Sequence, residues 1–289
     1  MSIRVAALQM RSGLEPRRNI EALAVLVAEA AAAGAAYVLS PEVTVAFAEN
    51  SEGLAKVAKP FEANRDLAEI SGIARRHKLF LHLGSLAVTL PDGRFANRSV
   101  LFGPDGAVAA TYDKIHLFDA TLPGIRQYRE SATYRGGDEA VVTKAAGFEL
   151  GLSICYDVRF GALYRALAEA GAQVLAVPAA FTVPTGEAHW EVLLRARAIE
   201  TGCFVIAAAQ GGVHENGRAT YGHSMMIDPW GKIIAEIAGD EPGGLCADID
   251  LGQIAAARAK VPALANARAF SLSVNQESPE YELERVIAL

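Results

Sequence analysis

A chain of 289 residues, 52% of them hydrophobic, can bury a sizeable core, which excludes disorder and suits one large domain or two modest ones. The formal net charge is −6 and no Lys/Arg run exceeds two residues, which argues against nucleic-acid and anionic-membrane surfaces. Three widely spaced cysteines, Cys155, Cys203 and Cys246, argue against a disulfide scaffold and fit a reducing cytoplasm. None has a partner at metal-ligand spacing and the six histidines stand singly, so neither metal nor cofactor is expected.

The N-terminal apolar run is too short for a signal peptide. Ala22 to Leu39 is apolar except for Glu29 and Gly34, but it is mostly alanine with a charge in the middle. A soluble helix running into a strand explains it better than a membrane span.

In chain order, Ile3 to Met10 reads as a buried strand, and Pro16 opens a helix with Ile20, Leu23, Ala24, Val27, Ala28 and Ala31 on one face. Gly34 closes that helix, and Tyr37 to Ser40 is a short strand stopped by Pro41 and followed by Glu42. The stretch from Asn50 to Pro60 reads as a loop, and Ala63 to His77 as a helix burying Leu67, Ile70 and Ala74. Leu79 to Leu90, Phe95 to Gly103 and Val108 to Tyr112 read as strands joined by Pro-Asp-Gly turns, so part of the sheet is antiparallel. Asp113 to Asp138 is long, polar and irregular, a length that usually carries function, and it holds Lys114, His116 and Glu130. Lysine there is ordinarily a surface charge, and His116 ordinarily a structural histidine.

The chain is organised around Gly151 to Ala172, read as a strand from Leu152 to Cys155 leading into a helix with Leu163, Ala166, Leu167 and Ala170 at helical spacing. Cys155 stands where the strand stops, and Asp157 is the expected N-cap of the helix. A thiol near the positive end of a helix dipole is expected to favour thiolate. Beyond it come a strand from Gln173 to Pro178, a loop from Phe181 to Gly186, and a helix from Ala188 to Thr201 with Trp190, Leu193, Leu194 and Ala198 inward. A strand from Cys203 to Gln210 precedes a Gly-rich loop at Gly211 to Gly217. Gly222 to Asp228 and Lys232 to Ile237 form a hairpin, and a strand near Leu245 to Ile249 and a helix near Leu251 to Lys260 precede an irregular tail. With no repeat and no linker, residues 1–289 read as one mixed α/β domain.

No G-x-S-x-G elbow, Walker loop, G-x-G-x-x-G or zinc pattern occurs. What remains is a cysteine at a strand end, with an acid and a lysine each closing an earlier strand, positions that meet at one edge of an α/β sheet. Ser40-Pro41-Glu42, Tyr112-Asp-Lys-Ile-His-Leu-Phe-Asp119 and Gly151-Leu-Ser-Ile-Cys-Tyr-Asp-Val-Arg-Phe160 resemble the three signature blocks of the nitrilase superfamily of carbon–nitrogen hydrolases. The likeness runs from Arg4 to about Pro262 and is nearest to the amidase branch that holds omega-amidases and deaminated glutathione amidases. Thr185 to Thr201, Tyr221-Gly-His-Ser224 and Asp228-Pro-Trp-Gly231 look most like the deaminated glutathione type.

The resemblance implies a four-layer α-β-β-α sandwich with mixed sheets, assembled as a homodimer or higher even oligomer; the tail from about residue 263, which departs from the family's pattern, is read separately as extended over a partner. It implies a catalytic triad of Glu42, Lys114 and Cys155, supported by Glu130. It implies that Arg159 receives a substrate carboxylate, that Phe181, Thr185 and Leu117 line the pocket, and that the Tyr156 backbone N–H helps hold the oxyanion. The implied substrate is a small amide whose acyl part bears a carboxylate, such as deaminated glutathione or another α-keto-glutaramyl amide, cleaved through a thioester. Omega-amidase, N-carbamoyl amino acid amidohydrolase and nitrilase share the triad and stand as alternatives; a non-catalytic interaction platform is the alternative from another class. Two departures stand out: Gly161-Ala162 where relatives carry Pro-Glu, which is expected to loosen the start of the helix, and a tail lacking the usual arginine-rich stretch.

Overall fold

The computed structural model describes residues 2–48, 50–121 and 127–273. Its first half runs β1 (Ser2–Gln9), α1 (Pro16–Ala32), β2 (Tyr37–Leu39), α2 (Ser51–Val57), α3 (Arg65–His77), β3 (Phe80–Thr89), β4 (Phe95–Phe102) and β5 (Val108–Asp113). Two short strands follow, β6 (Asp119–Ala120) and β7 (Tyr128–Arg129), then β8 (Val142–Ala145), β9 (Phe148–Leu152), α4 (Gly161–Glu169), β10 (Val174–Ala179) and α5 (Val183–Thr201). The remainder is β11 (Phe204–Ala209), β12 (Gly211–Val213), β13 (Ala219–Tyr221), β14 (Met225–Ile227), β15 (Ile233–Glu236), β16 (Gly243–Asp250) and α6 (Gly252–Lys260).

Two six-stranded mixed sheets face each other, ordered β16-β1-β2-β3-β4-β5 and β15-β14-β11-β10-β9-β8. Alternation along β1 shows how the layers form. Val5 and Ala7 belong to the core shared with the second sheet, α4 and α5, while Ala6 and Leu8 pack with Ile20, Leu23 and Val27 of α1 and Ile70 of α3. The result is the expected four-layer α-β-β-α sandwich.

The halves mirror each other although the sequence shows no repeat. β1, β2 and β3 are parallel neighbours flanked by antiparallel strands, and so are β9, β10 and β11. Parallel strands need crossovers, supplied by α1 and α3 in one half and by α4 and α5 in the other. The ends of β2 and β9 therefore come together, which brings Glu42 to Cys155.

Two expectations are corrected, and one hairpin is added. Ser51–Val57 is a helix, because the Asn50 side chain accepts from Gly53 N at 2.9 Å and Leu54 is buried as an anchor. The α5 helix begins at Val183, inside the expected loop, with Pro184 in its first turn, where a missing N–H costs nothing. The β8–β9 hairpin was missed because its turn is Ala146-Gly147, both at positive φ, and alanine gives no turn signal. Among the described residues, no helix is long and apolar enough to cross a membrane.

Candidate active site

Glu42 is held by its backbone. Val43 adopts a φ of 51°, its N–H donates to Ser85 Oγ at 2.9 Å, and Gln210 Nε2 donates to the Glu42 carbonyl at 2.9 Å. Beneath the turn lies Gly84, where an added Cβ would stand 2.1 Å from Ser40 O and 2.4 Å from Pro41 O. Only a residue without Cβ fits there. Gly84→Ala is therefore expected to cost about 3 kcal/mol or more and to shift Glu42, lowering both the melting temperature and kcat. A melt and a rate within error of the parent would show that the turn is not the support described.

Lys114 follows β5 and is almost fully buried. Its Nζ donates to Glu42 Oε1 at 2.8 Å and lies 3.1 and 3.0 Å from the two Glu130 oxygens. Burial alone would lower the Lys114 pKa, but Glu130 and Glu42 hold it well above its ordinary value. Glu130 is fixed by the Phe118 N–H at 2.6 Å, and Asn97 Nδ2 bridges Glu42 Oε1 at 2.9 Å and Glu130 Oε1 at 3.3 Å. Asn97, in β4, was not singled out in the sequence, although an amide inside an apolar strand is itself a signal. Its Oδ1 is buried without a hydrogen-bond partner.

Cys155 opens a single 3-10 turn, Cys155–Arg159, with a φ of 50°. That left-handed backbone costs about 1–2 kcal/mol for a residue with a Cβ. The α4 helix starts only at Gly161, and Asp157 is not its N-cap. Instead the buried Asp157 carboxylate faces back, accepting from Ile154 N (2.8 Å), Tyr112 OH (2.7 Å), His116 N (3.0 Å) and His116 Nδ1 (2.7 Å). His116 thus ties the Lys114 segment to the Cys155 turn.

The thiolate expectation is also corrected. Burial, then the Glu42 carboxylate, push the Cys155 thiol well above its usual pKa, and Lys114 and the Ala180 N–H offset this only in part. The Glu42 carboxylate beside the sulfur thus favours the protonated form. Alkylation of Cys155 by iodoacetamide should rise about tenfold per pH unit from pH 7 upward. A plateau below pH 8 would contradict it.

Cys155, Glu42, Lys114, Glu130 and Asn97 share one cavity of about 370 Å³ with Tyr156, Arg159, Phe181 and Thr185. A volume of that order holds a small molecule. Leu117 does not line it; that side chain packs against the Leu54, Ala58, Phe95 and Tyr134 cluster, and Phe118 faces the cavity instead. The unforeseen α2 helix also contributes to the wall, through Ser51 and Leu54. Arg159 is half-buried over the rings of Phe181 (5.4 Å) and Tyr156 (5.8 Å), and no carboxylate pairs with it among the described residues.

The departure at Gly161 has a structural counterpart. A Cβ there would lie 3.1 Å from Arg197 Nη1. Arg197 is buried, donates to Val158 O at 2.8 Å and Arg159 O at 3.4 Å, and so pins the end of the Cys155 turn. Arg197 also pairs with Glu200, and its guanidinium is a support of the site.

The sequence profile of the carbon-nitrogen hydrolase family matches residues 4–259. The chain belongs to that family. Its relatives include the human deaminated glutathione amidase, 42% identical over 91% of this chain and 82% of the relative. Among solved structures, Saccharomyces cerevisiae Nit3, a member of branch 10 of the nitrilase superfamily, superposes with a TM-score of 0.81 at 28% identity, covering 90% of this chain and 94% of that one. A mutant of the amidase from Nesterenkonia sp. AN1, which carries the acetamide moiety of fluoroacetamide on its active-site cysteine, gives a TM-score of 0.77 at 27% identity, covering 92% and 94%. This carbon–nitrogen hydrolase is an amidase of the nitrilase superfamily.

Proposed function

We propose that Cys155, Glu42 and Lys114, with Glu130 in support, hydrolyse a small amide with a carboxylate on its acyl part, and that deaminated glutathione is the substrate. The observation that carries this reading is the buried Lys114 ammonium between two carboxylates, in one cavity with a buried thiol and an arginine free of any described carboxylate.

Glu42 takes the thiol proton as Sγ bonds to the acyl carbon. Two of the three Lys114 donors engage the glutamates; the third, with the Tyr156 N–H, holds the oxyanion. Glu42 then gives its proton to the departing amine as the C–N bond breaks, leaving a thioester. A water deprotonated by Glu42 attacks that thioester, the acid departs, and the proton returns to sulfur. Arg159 receives the acyl carboxylate as a planar, permanently charged fork, with Phe181 and Thr185 shaping the pocket beside it.

We take residues 1–289 as one domain working as a homodimer in the cytoplasm. Exposed Val192, Ile199 and Trp230 on one side support association, and three unpaired cysteines suit a reducing compartment. The substrate assignment is tested by offering deaminated glutathione, α-ketoglutaramate, an N-carbamoyl amino acid and a nitrile. Release of cysteinylglycine at the highest kcat/KM is expected. Ammonia from α-ketoglutaramate as the preferred reaction would make the protein an omega-amidase, and carbon dioxide with ammonia a carbamoyl hydrolase.

A further inference from the structure

A second guanidinium reaches the cavity, from the residue that follows the Gly-rich stretch Gly211 to Gly217. Arg218, on the β12–β13 hairpin, lines the same cavity as Cys155, with its guanidinium 4.7 Å from the centre of the Phe47 ring and 5.2 Å from that of Tyr128. Its backbone is fixed: Asn216 Oδ1 accepts from Arg218 N at 3.0 Å, and Asn216 Nδ2 donates to Phe47 O at 2.8 Å. His214, in the same hairpin, packs edge-on against Phe47 at 4.4 Å. Among the described residues no carboxylate pairs with Arg218, so two aromatic faces position a cation whose N–H groups are left to a ligand.

Place and charge say which ligand. Phe47 belongs to the segment that begins at Glu42, the group that hands a proton to the leaving amine, so Arg218 stands on the leaving-group side. Arg159 lies at the other end of a line of rings. Tyr156 carries Arg159, Phe118 touches Tyr156 at 5.0 Å, Tyr128 touches Phe118 at 5.2 Å, and Arg218 caps Tyr128. A substrate held at Arg159 and attacked at Cys155 continues along that line. The described lining holds Lys114, Arg129, Arg159 and Arg218 against Glu42 and Glu130, an excess of two positive charges that matches a dianion.

We propose that Arg218 is a second carboxylate site, specific for amides whose departing amine carries its own carboxylate, and that it separates these from simple amides that release ammonia. The proposal rests on the amidase reading above. It makes the terminal glycine carboxylate of deaminated glutathione a recognised group, paired with Arg218 while the acyl carboxylate pairs with Arg159.

The test compares kcat/KM for deaminated glutathione with that for its C-terminal amide, which keeps the scissile bond and the acyl carboxylate but lacks the second charge. Wild type is expected to prefer the free carboxylate by roughly 10- to 100-fold. Arg218→Gln should reduce that preference to about threefold or less, and Arg218→Lys should keep part of it. Arg159→Gln should lower both substrates together, leaving the preference in place. An Arg218→Gln enzyme that loses rate equally on both forms would assign Arg218 to packing and overturn the proposal, as would a wild type with no preference. A wild type that cleaves neither form but hydrolyses another amide would overturn the substrate reading, and the second site with it.

Discussion

Replacing Cys155 with alanine is expected to lower kcat by about 10,000-fold or more while shifting the melting temperature by only a few degrees. No other thiol can take over. Cys203 is buried at the far side of the second sheet's core, its sulfur against Ala172 O at 3.1 Å and Arg258 Nη2 at 3.2 Å, and Cys246 lies exposed on β16. Alanine has the same backbone preference at a φ of 50°, so the strain of the turn is retained, and the lost sulfur leaves only a small void at the cavity wall. The fold is expected to survive without the sulfur that the proposed mechanism makes the bond-forming atom. Steady-state rates with deaminated glutathione, beside a thermal melt, check this; more than about 1% of parental kcat would exclude the nucleophile assignment.

Lys114→Met should damage both stability and chemistry, for one electrostatic reason. Lys114 is 2% exposed, and Glu42 and Glu130 are 7% and 14% exposed, so solvent screens this cluster poorly. Removing the ammonium leaves two carboxylates sharing Asn97 Nδ2, with no compensating charge in contact. Breaking a buried ion pair from one side costs about 3–5 kcal/mol, which for a chain of this size lowers the melting temperature by on the order of 10 °C. The rate should fall with the lost oxyanion donor by about 100-fold or more. The double substitution Lys114→Met/Glu130→Gln separates the two effects. It removes one of the opposed charges and should recover much of the stability, but none of the rate. Recovery of the rate together with stability would show that Lys114 only holds the fold.

Residues were legible in the sequence where local chemistry announced them. Pro41 after an apolar run placed Glu42 at a strand end, and the Pro-Asp-Gly turns gave the β3–β4–β5 meander and hence the position of Lys114. The parallel strands fixed which ends meet. What stayed hidden depends on contacts distant in sequence. Nothing local says that Asn97 faces two carboxylates, that Arg197 closes the Cys155 turn across a Cβ-free Gly161, or that Arg218 is turned into the cavity by Phe47 and Tyr128. The Cys155 thiol was misjudged for the same reason. The dipole argument used the local helix, whereas burial and Glu42, more than a hundred residues away, set the direction of its pKa. Leu117 was displaced by its neighbour because alternate side chains along that segment face opposite ways, one to an apolar cluster and one to the cavity.

The central claim is that acyl transfer passes through the sulfur of Cys155, and rapid-quench peptide mapping addresses it directly. The S-methyl form of deaminated glutathione serves as substrate, because its blocked sulfur cannot form a disulfide with the enzyme. The account predicts an acylated peptide containing Cys155 within the first turnover, together with stoichiometric release of S-methylcysteinylglycine. Turnover with that peptide unmodified, or acylation confined to Cys203 or Cys246, would contradict it.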